Sequence, residues 1–151
     1  MSTPPCIVRE AAAADRDSAH SLLTAQLIDH CLPADPDGID RGIDLALAAG
    51  SPAWLWLAER DAGPVGIFLG NEIVSVERGG LVLWVEELYV IPEARRTGVA
   101  RALLAHVCEH ARARGIRAIE LEVVPAQAAA VALYRALRFA PVRRDRMSLS
   151  L

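Results

Sequence analysis

Apolar positions along this chain change period several times, and each change marks an element. Residues 6–10 read as a short opening strand. Leu22, Leu23, Leu27 and Ile28 then recur at helical spacing behind Asp15 or Asp17, either of which can cap a helix N-terminus. Residues 32–38 form a loop by their proline, aspartate and glycine content, and a second short helix over 39–49 ends at Gly50. Residues 53–59 alternate and put Trp54 and Trp56 on one strand face. Turns at Asp61-Ala62-Gly63-Pro64 and Glu77-Arg78-Gly79-Gly80 separate strands over 65–76 and 81–91, an antiparallel meander.

The second half reads as strand, helix, strand, helix. From Ala100 a helix carries Leu103, Leu104, Val107 and Ala111 inward and stops near Arg112, Arg114 and Gly115. A strand over 116–124 follows, then a helix over 125–137 that Pro125 can start, and a final strand or two within 139–151. This order predicts an α/β (α+β) fold with a mixed, mostly antiparallel sheet. Neither a repeat nor a linker interrupts it, so residues 1–151 read as one domain.

Composition narrows the chemistry. At 151 residues, 53% hydrophobic and 23% charged, the chain can bury a core without staples. Cys6, Cys31 and Cys108 are too scattered for a disulfide framework or a zinc site. With no basic leader and no apolar run of bilayer length, the expectation is a cytoplasmic protein with no membrane partner. All 16 basic residues are arginine, which excludes a P-loop lysine, a pyridoxal phosphate Schiff base and a Ser-x-x-Lys hydrolase. Residues 1–80 hold five arginines against twelve acidic residues, and residues 81–151 hold eleven against seven. The C-terminal half therefore suits an anion. A pI near 5.8 and the lack of a continuous basic helix argue against nucleic acid. His106 and His110 flank Cys108 without a ligand motif, so no metal is expected.

The richest segment is Arg95-Arg96-Thr97-Gly98-Val99-Ala100-Arg101, where a strand passes through a glycine turn into a helix. Backbone N–H groups at such a turn lack helical acceptors and face incoming anions. Gly98 and Ala100 permit close approach, and Arg95, Arg96 and Arg101 add positive charge. Around it stand Val85-Glu86-Glu87-Leu88-Tyr89-Val90 before, and Gln127 to Tyr134 followed by Phe139 after.

Together these motifs resemble the GNAT family of acyl-CoA-dependent N-acyltransferases, densely from Leu81 to about Val142. Within it the chain looks most like small-amine members, including diamine and polyamine acetyltransferases. The resemblance implies a sheet of six to seven strands flanked by about four helices, splayed between the strands over 81–91 and 116–124. It implies acetyl-CoA as co-substrate, with Arg95, Arg96, Thr97, Gly98, Val99, Ala100 and Arg101 around the pyrophosphate. Leu88, Tyr89 and Val90 would pair with the pantetheine arm, joined by Ala130 and by Gln127, which stands where the family usually has asparagine. Tyr134 matches the general acid that protonates the leaving thiolate, and Glu86 the base position of polyamine-type members.

Adjacent strand residues point to opposite faces, so Glu86 and Glu87 can divide into a base and a substrate-ammonium contact only if a bulge intervenes. Arg138 stands where the family has glycine; in a left-handed conformation it costs about 1 kcal/mol. Asp29, Asp35, Asp37, Asp40 and Asp44 fall in the region that resembles the family's substrate lid. The implied function is acetyl transfer to a small primary amine, with homodimerisation expected by resemblance. A protein N-terminal acetyltransferase and a non-catalytic acyl-CoA sensor are the alternatives.

Overall fold

The computed structural model describes residues 5–151. Its elements run β1 (Ile7–Glu10), α1 (Arg16–Asp29), α2 (Pro36–Leu47), β2 (Ala53–Arg60), β3 (Gly63–Ser75), β4 (Gly80–Val90), α3 (Val99–Ala113), β5 (Ile119–Leu121) and α4 (Ala128–Ala136). The strands form one sheet in the order β1-β2-β3-β4-β5, antiparallel except for the parallel β4–β5 pair. The α+β class, the mostly antiparallel mixed sheet and the four helices stand as expected; the described residues hold five strands, not six or seven. The chain separates after Leu121 into two compact units, the second being Glu122–Leu151.

In the first unit, alternation along β2 assigns the two sheet faces. Leu55 and Leu57 join Ile67 and Tyr89 under Ala19 and Leu22 of α1 and Ile39 and Ile43 of α2. Trp54 and Trp56 point the other way, their rings 4.8–5.1 Å from those of His106 and His110 on α3. The tryptophans are therefore core residues of the α3 face. Gly66 lets α3 approach closely: a Cβ there would lie 3.1 Å from Val99 Cγ1 and 3.2 Å from Leu103 Cδ1.

Local boundaries moved for identifiable reasons. Asp15 does not cap α1 with its side chain. Its carboxylate instead takes both terminal nitrogens of Arg9, at 2.7 and 2.8 Å, which holds it well below the usual range at about 2. Helix α2 starts three residues early because Asp35 accepts from Gly38 N and Pro36 sits in the first turn. On α1, Leu22 is buried but Ile28 is exposed; the buried stripe runs Ala19, Leu22, Gln26.

The decisive irregularity lies in β4. Leu69 pairs with Glu87 and Gly70 with Val85, so Glu86 is an extra residue, a β-bulge. The β4–β5 ladder stops at the same place, its last pair being Val85 with Leu121. A bulge twists and bends its strand, which ends the parallel pairing after three register pairs. This explains why β5 is shorter than the expected strand over 116–124. The expected splay takes this form: β4 runs on to Val90 without β5.

In the second unit, α4 begins at Ala128, not at Pro125, because Gln127 N bonds Val124 O in a preceding turn. It ends through Arg138, which takes a left-handed conformation (φ +69°) at the position where the resemblance has glycine. Beyond Phe139 no strand forms. Pro141 lacks an N–H, and Arg144 N turns back to Val142 O.

Candidate active site

The open edge of β4 is the first component. Ile91 N bonds Val65 O, so by strand alternation the backbone groups of Tyr89 face β3 and those of Leu88 and Val90 face the edge that β5 has left. An extended ligand can pair there as a strand would.

The second component follows directly. Pro92–Ala94 makes one 3-10 turn, then Arg96 (φ +63°) and Gly98 (φ +88°) both adopt left-handed conformations before α3 begins. The first intrahelical bond of α3 runs from Ala102 N to Gly98 O, leaving the N–H groups of Val99, Ala100 and Arg101 without a helical acceptor. Alternating backbone handedness at a helix start gathers N–H groups into an anion-binding concavity. A Cβ on Gly98 would meet nothing within 4 Å, so it is the left-handed backbone that favours glycine there. Arg96 and Arg101 are exposed and make no ion pair among the described residues. This turn can receive an anion.

Two arginines serve the turn differently. Arg95 folds inward: Nε donates to Val90 O (2.9 Å), Nη2 to Asp29 (3.0 Å), and its guanidinium lies 5.5 Å from the Tyr89 ring centroid. It ties the end of α1 to the end of β4. Arg60, which sequence reasoning missed, donates to the Thr97 hydroxyl (2.6 Å), which in turn donates to Ala94 O (2.6 Å). Thr97 is thus a brace of the turn.

The third component is the carboxylate pair. Glu86, at the bulge, is exposed and accepts from Trp84 Nε1 at 2.8 Å. Glu87 is half-buried on the α1 face and accepts from Gln26 Nε2. Burial, reinforced by the negative charge of Glu86, pushes the Glu87 carboxyl up to about 7, against the opposing hydrogen bond from Gln26. Gln26 is 3% exposed, and its Oε1 is buried with no partner. The signal for it was available: a glutamine at the position of α1 where the apolar stripe continues from Leu22.

The acidic residues of the α1–α2 region are mostly engaged. Asp29 pairs with Arg95, Asp35 caps α2, Asp40 binds His20 (2.7 Å) and Arg16 (3.2 Å), and Asp44 binds Arg16 (2.8 Å). Among the described residues no group of three His, Cys, Asp or Glu side chains could hold a metal ion, and no helix is long and apolar enough to cross a membrane.

The second unit carries Gln127, Ala130 and Tyr134. Gln127 precedes α4 without a side-chain cap bond, and Ala130 is half-buried in its first turn. The Tyr134 ring meets Phe139 edge-on at 5.6 Å, and burial raises its hydroxyl pKa above the usual value.

Comparison with known proteins identifies the family and the fold. The model of the acetyltransferase (GNAT) family matches residues 19–139. The [ribosomal protein bS18]-alanine N-acetyltransferase of Escherichia coli (strain K12) is 43% identical over 58 residues, 37% of this chain and 39% of that protein. Streptothricin acetyltransferase of Streptomyces lavendulae is 32% identical over 117 residues, 72% of this chain and 60% of that protein. The matched stretch thus spans less than two thirds of either relative. A predicted acetyltransferase from Clostridium acetobutylicum, solved with acetyl-CoA, superposes with a TM-score of 0.79 at 20% identity, covering 97% of this chain and 96% of that one. That likeness shows the fold.

Proposed function

Because the chain belongs to the GNAT family of acetyltransferases, we propose that it transfers an acetyl group from acetyl-CoA to a primary amine. The single observation that carries this reading is the bulge at Glu86: one irregularity frees the β4 edge and coincides with a half-buried carboxylate beside it. Acetyl-CoA supplies a thioester acyl group. The N–H groups of Val99, Ala100 and Arg101 hold its pyrophosphate, with Arg96 and Arg101 as counter-charges. Leu88 and Val90 present backbone groups to the pantetheine arm, although the Val90 carbonyl is shared with Arg95.

The bulge also redistributes the carboxylate roles. Glu87, rather than Glu86, serves as the base, because its carboxyl titrates near the pH at which a base works best. Glu86 acts on it electrostatically, and Arg95 positions the end of α1. Tyr134 supplies the proton that the departing sulfur needs, a role taken from its match to the family motif.

A second reading is favoured by the 43% identity to the ribosomal-protein enzyme: the acceptor is the α-amine of a protein N-terminus. One assay addresses both. Release of free CoA thiol is followed with alkyl amines, aminoglycosides, streptothricin and N-terminal alanyl peptides side by side. At least one class should release CoA, and Tyr134→Phe should lower kcat by about 10²–10⁴-fold with little change in acetyl-CoA affinity. Binding of acetyl-CoA without release for any acceptor would establish a sensor instead.

A further inference from the structure

Arg60 ends β2 on the face that Trp54 and Trp56 turn toward α3. It is half-buried, and its Nη2 donates to the Thr97 hydroxyl at 2.6 Å. Its Nε is enclosed and has no hydrogen-bond partner. Arg9, Arg16, Arg78, Arg95 and Arg114 each meet a carboxylate, whereas Arg60 meets none among the described residues. The Cys6 thiol, which feels the Arg60 charge, is pushed above its ordinary value by burial and stays uncharged at neutral pH. A guanidinium drawn partly out of water with only a hydroxyl for a partner is unfavourable, and a neighbouring anion offsets that cost. The surface beside Thr97 is the exposed left-handed turn at Arg96 and Gly98, where the first N–H groups of α3 lack helical acceptors.

We propose that Arg60 is a positioning residue for a diphosphate-bearing acyl donor: it holds the turn through Thr97 and sets behind it a positive charge that no carboxylate neutralises. The inference rests on the turn being the pyrophosphate site. One side chain has two effects. The first is geometric. Thr97 Oγ1 accepts from Arg60 and spends its own proton on Ala94 O, 2.6 Å away. That chain ties β2 to the turn and helps to keep Arg96 in a left-handed conformation that a non-glycine residue resists. The second effect is electrostatic. Arg60 needs no contact with the ligand, since its free N–H is enclosed and its charge acts through the turn. A half-buried charge is screened less by salt than the exposed Arg96 and Arg101 are. Its field favours a donor that carries a diphosphate over one that carries the pantetheine arm alone.

The test measures the Kd of the full chain for acetyl-CoA by calorimetry and for S-acetylpantetheine, which lacks phosphate, by NMR titration. Arg60→Gln keeps an N–H donor but loses the charge, and Arg60→Lys keeps the charge. Thr97→Val keeps the charge but cuts the hydroxyl chain. Unfolding midpoints first establish that each variant folds, and Arg60→Met replaces Arg60→Gln if that variant does not. Arg60→Gln should weaken acetyl-CoA binding by about tenfold and leave S-acetylpantetheine within about twofold. Arg60→Lys should recover most of the acetyl-CoA affinity. With added salt, the Kd for acetyl-CoA should rise less steeply in Arg60→Gln than in the parent, and as steeply as the parent in Thr97→Val. An equal loss for both donors would make Arg60 a scaffold residue and overturn the inference. So would parental affinity and salt dependence in Arg60→Gln. If Gly98→Glu abolishes acetyl-CoA binding while Arg60→Gln binds as the parent does, the turn keeps its reading and the role of Arg60 falls. If Gly98→Glu also binds as the parent does, the pyrophosphate site lies elsewhere and the inference falls with it.

Discussion

The two halves of β4 share a strand and little else. From Gly80 to Val85 the strand is paired to β3, from Leu83 to Val85 to β5 as well, and it buries Val82, Leu83 and Val85. From Glu86 to Val90 it is paired to β3 alone and carries a half-buried carboxylate, an open edge and the entry to the left-handed turn. The first half has a strand neighbour on both sides where it meets β5. The second leaves some unspent, and unspent groups are what a ligand can use. One extra residue separates the two regimes.

The comparison is broken most severely if the carboxylates are exchanged in role. Glu87→Gln should lower kcat/KM for the best amine by about 10²–10⁴-fold at neutral pH, while Glu86→Gln should change it by less than about tenfold. Steady-state kinetics of the two variants decide it; a crippled Glu86→Gln beside an active Glu87→Gln would reverse the assignment. Next in size is the core of the first half. Leu83 is fully buried, and Leu83→Ala should cost about 2–5 kcal/mol by denaturant unfolding. Leu88→Ala, on the partly exposed second half, should cost clearly less; equal losses would erase the contrast.

The turn that follows the open half gives a smaller, ligand-dependent effect. Acetyl-CoA at about 100 times its Kd should stabilise the parent by about 2.7 kcal/mol. Gly98→Glu should remove that gain by placing a side chain on a left-handed backbone and a negative charge at the anion site. A retained shift in melting temperature would move the pyrophosphate site elsewhere.

The smallest effect is the pH dependence of stability. Glu87 has its folded pKa raised, so its favourable contribution is complete below its ordinary value near 4.5 and is lost as pH rises through about 7. Melting temperature should therefore fall between pH 5 and 8, and Glu87→Gln should flatten that slope. Asp15 has the opposite sign: with its pKa depressed to about 2, its contribution with Arg9 is present above pH 4 and lost as pH drops toward 2. A thermal scan across pH with Asp15→Asn and Glu87→Gln separates the two limbs.

Much of this molecule was determined by the sequence alone. Helical and strand periods located the elements, because side-chain direction repeats at 3.6 and 2 residues whatever the neighbours are. The turn through Gly98 into α3 was equally legible, since a glycine, small residues and arginines at a strand-to-helix junction are local chemistry. The tertiary structure decided the rest. A bulge is a mismatch between two strands, so no reading of β4 by itself could say that Glu86 is the extra residue and Glu87 the one turned toward α1. Gln26 stood in line with the apolar stripe, but only the packing of α1 against β4 shows why a glutamine continues it. Arg95 is held by Asp29 and the Val90 carbonyl, partners that only the tertiary fold brings to it. Local period selects the elements; register and long-range pairing select which of their side chains meet.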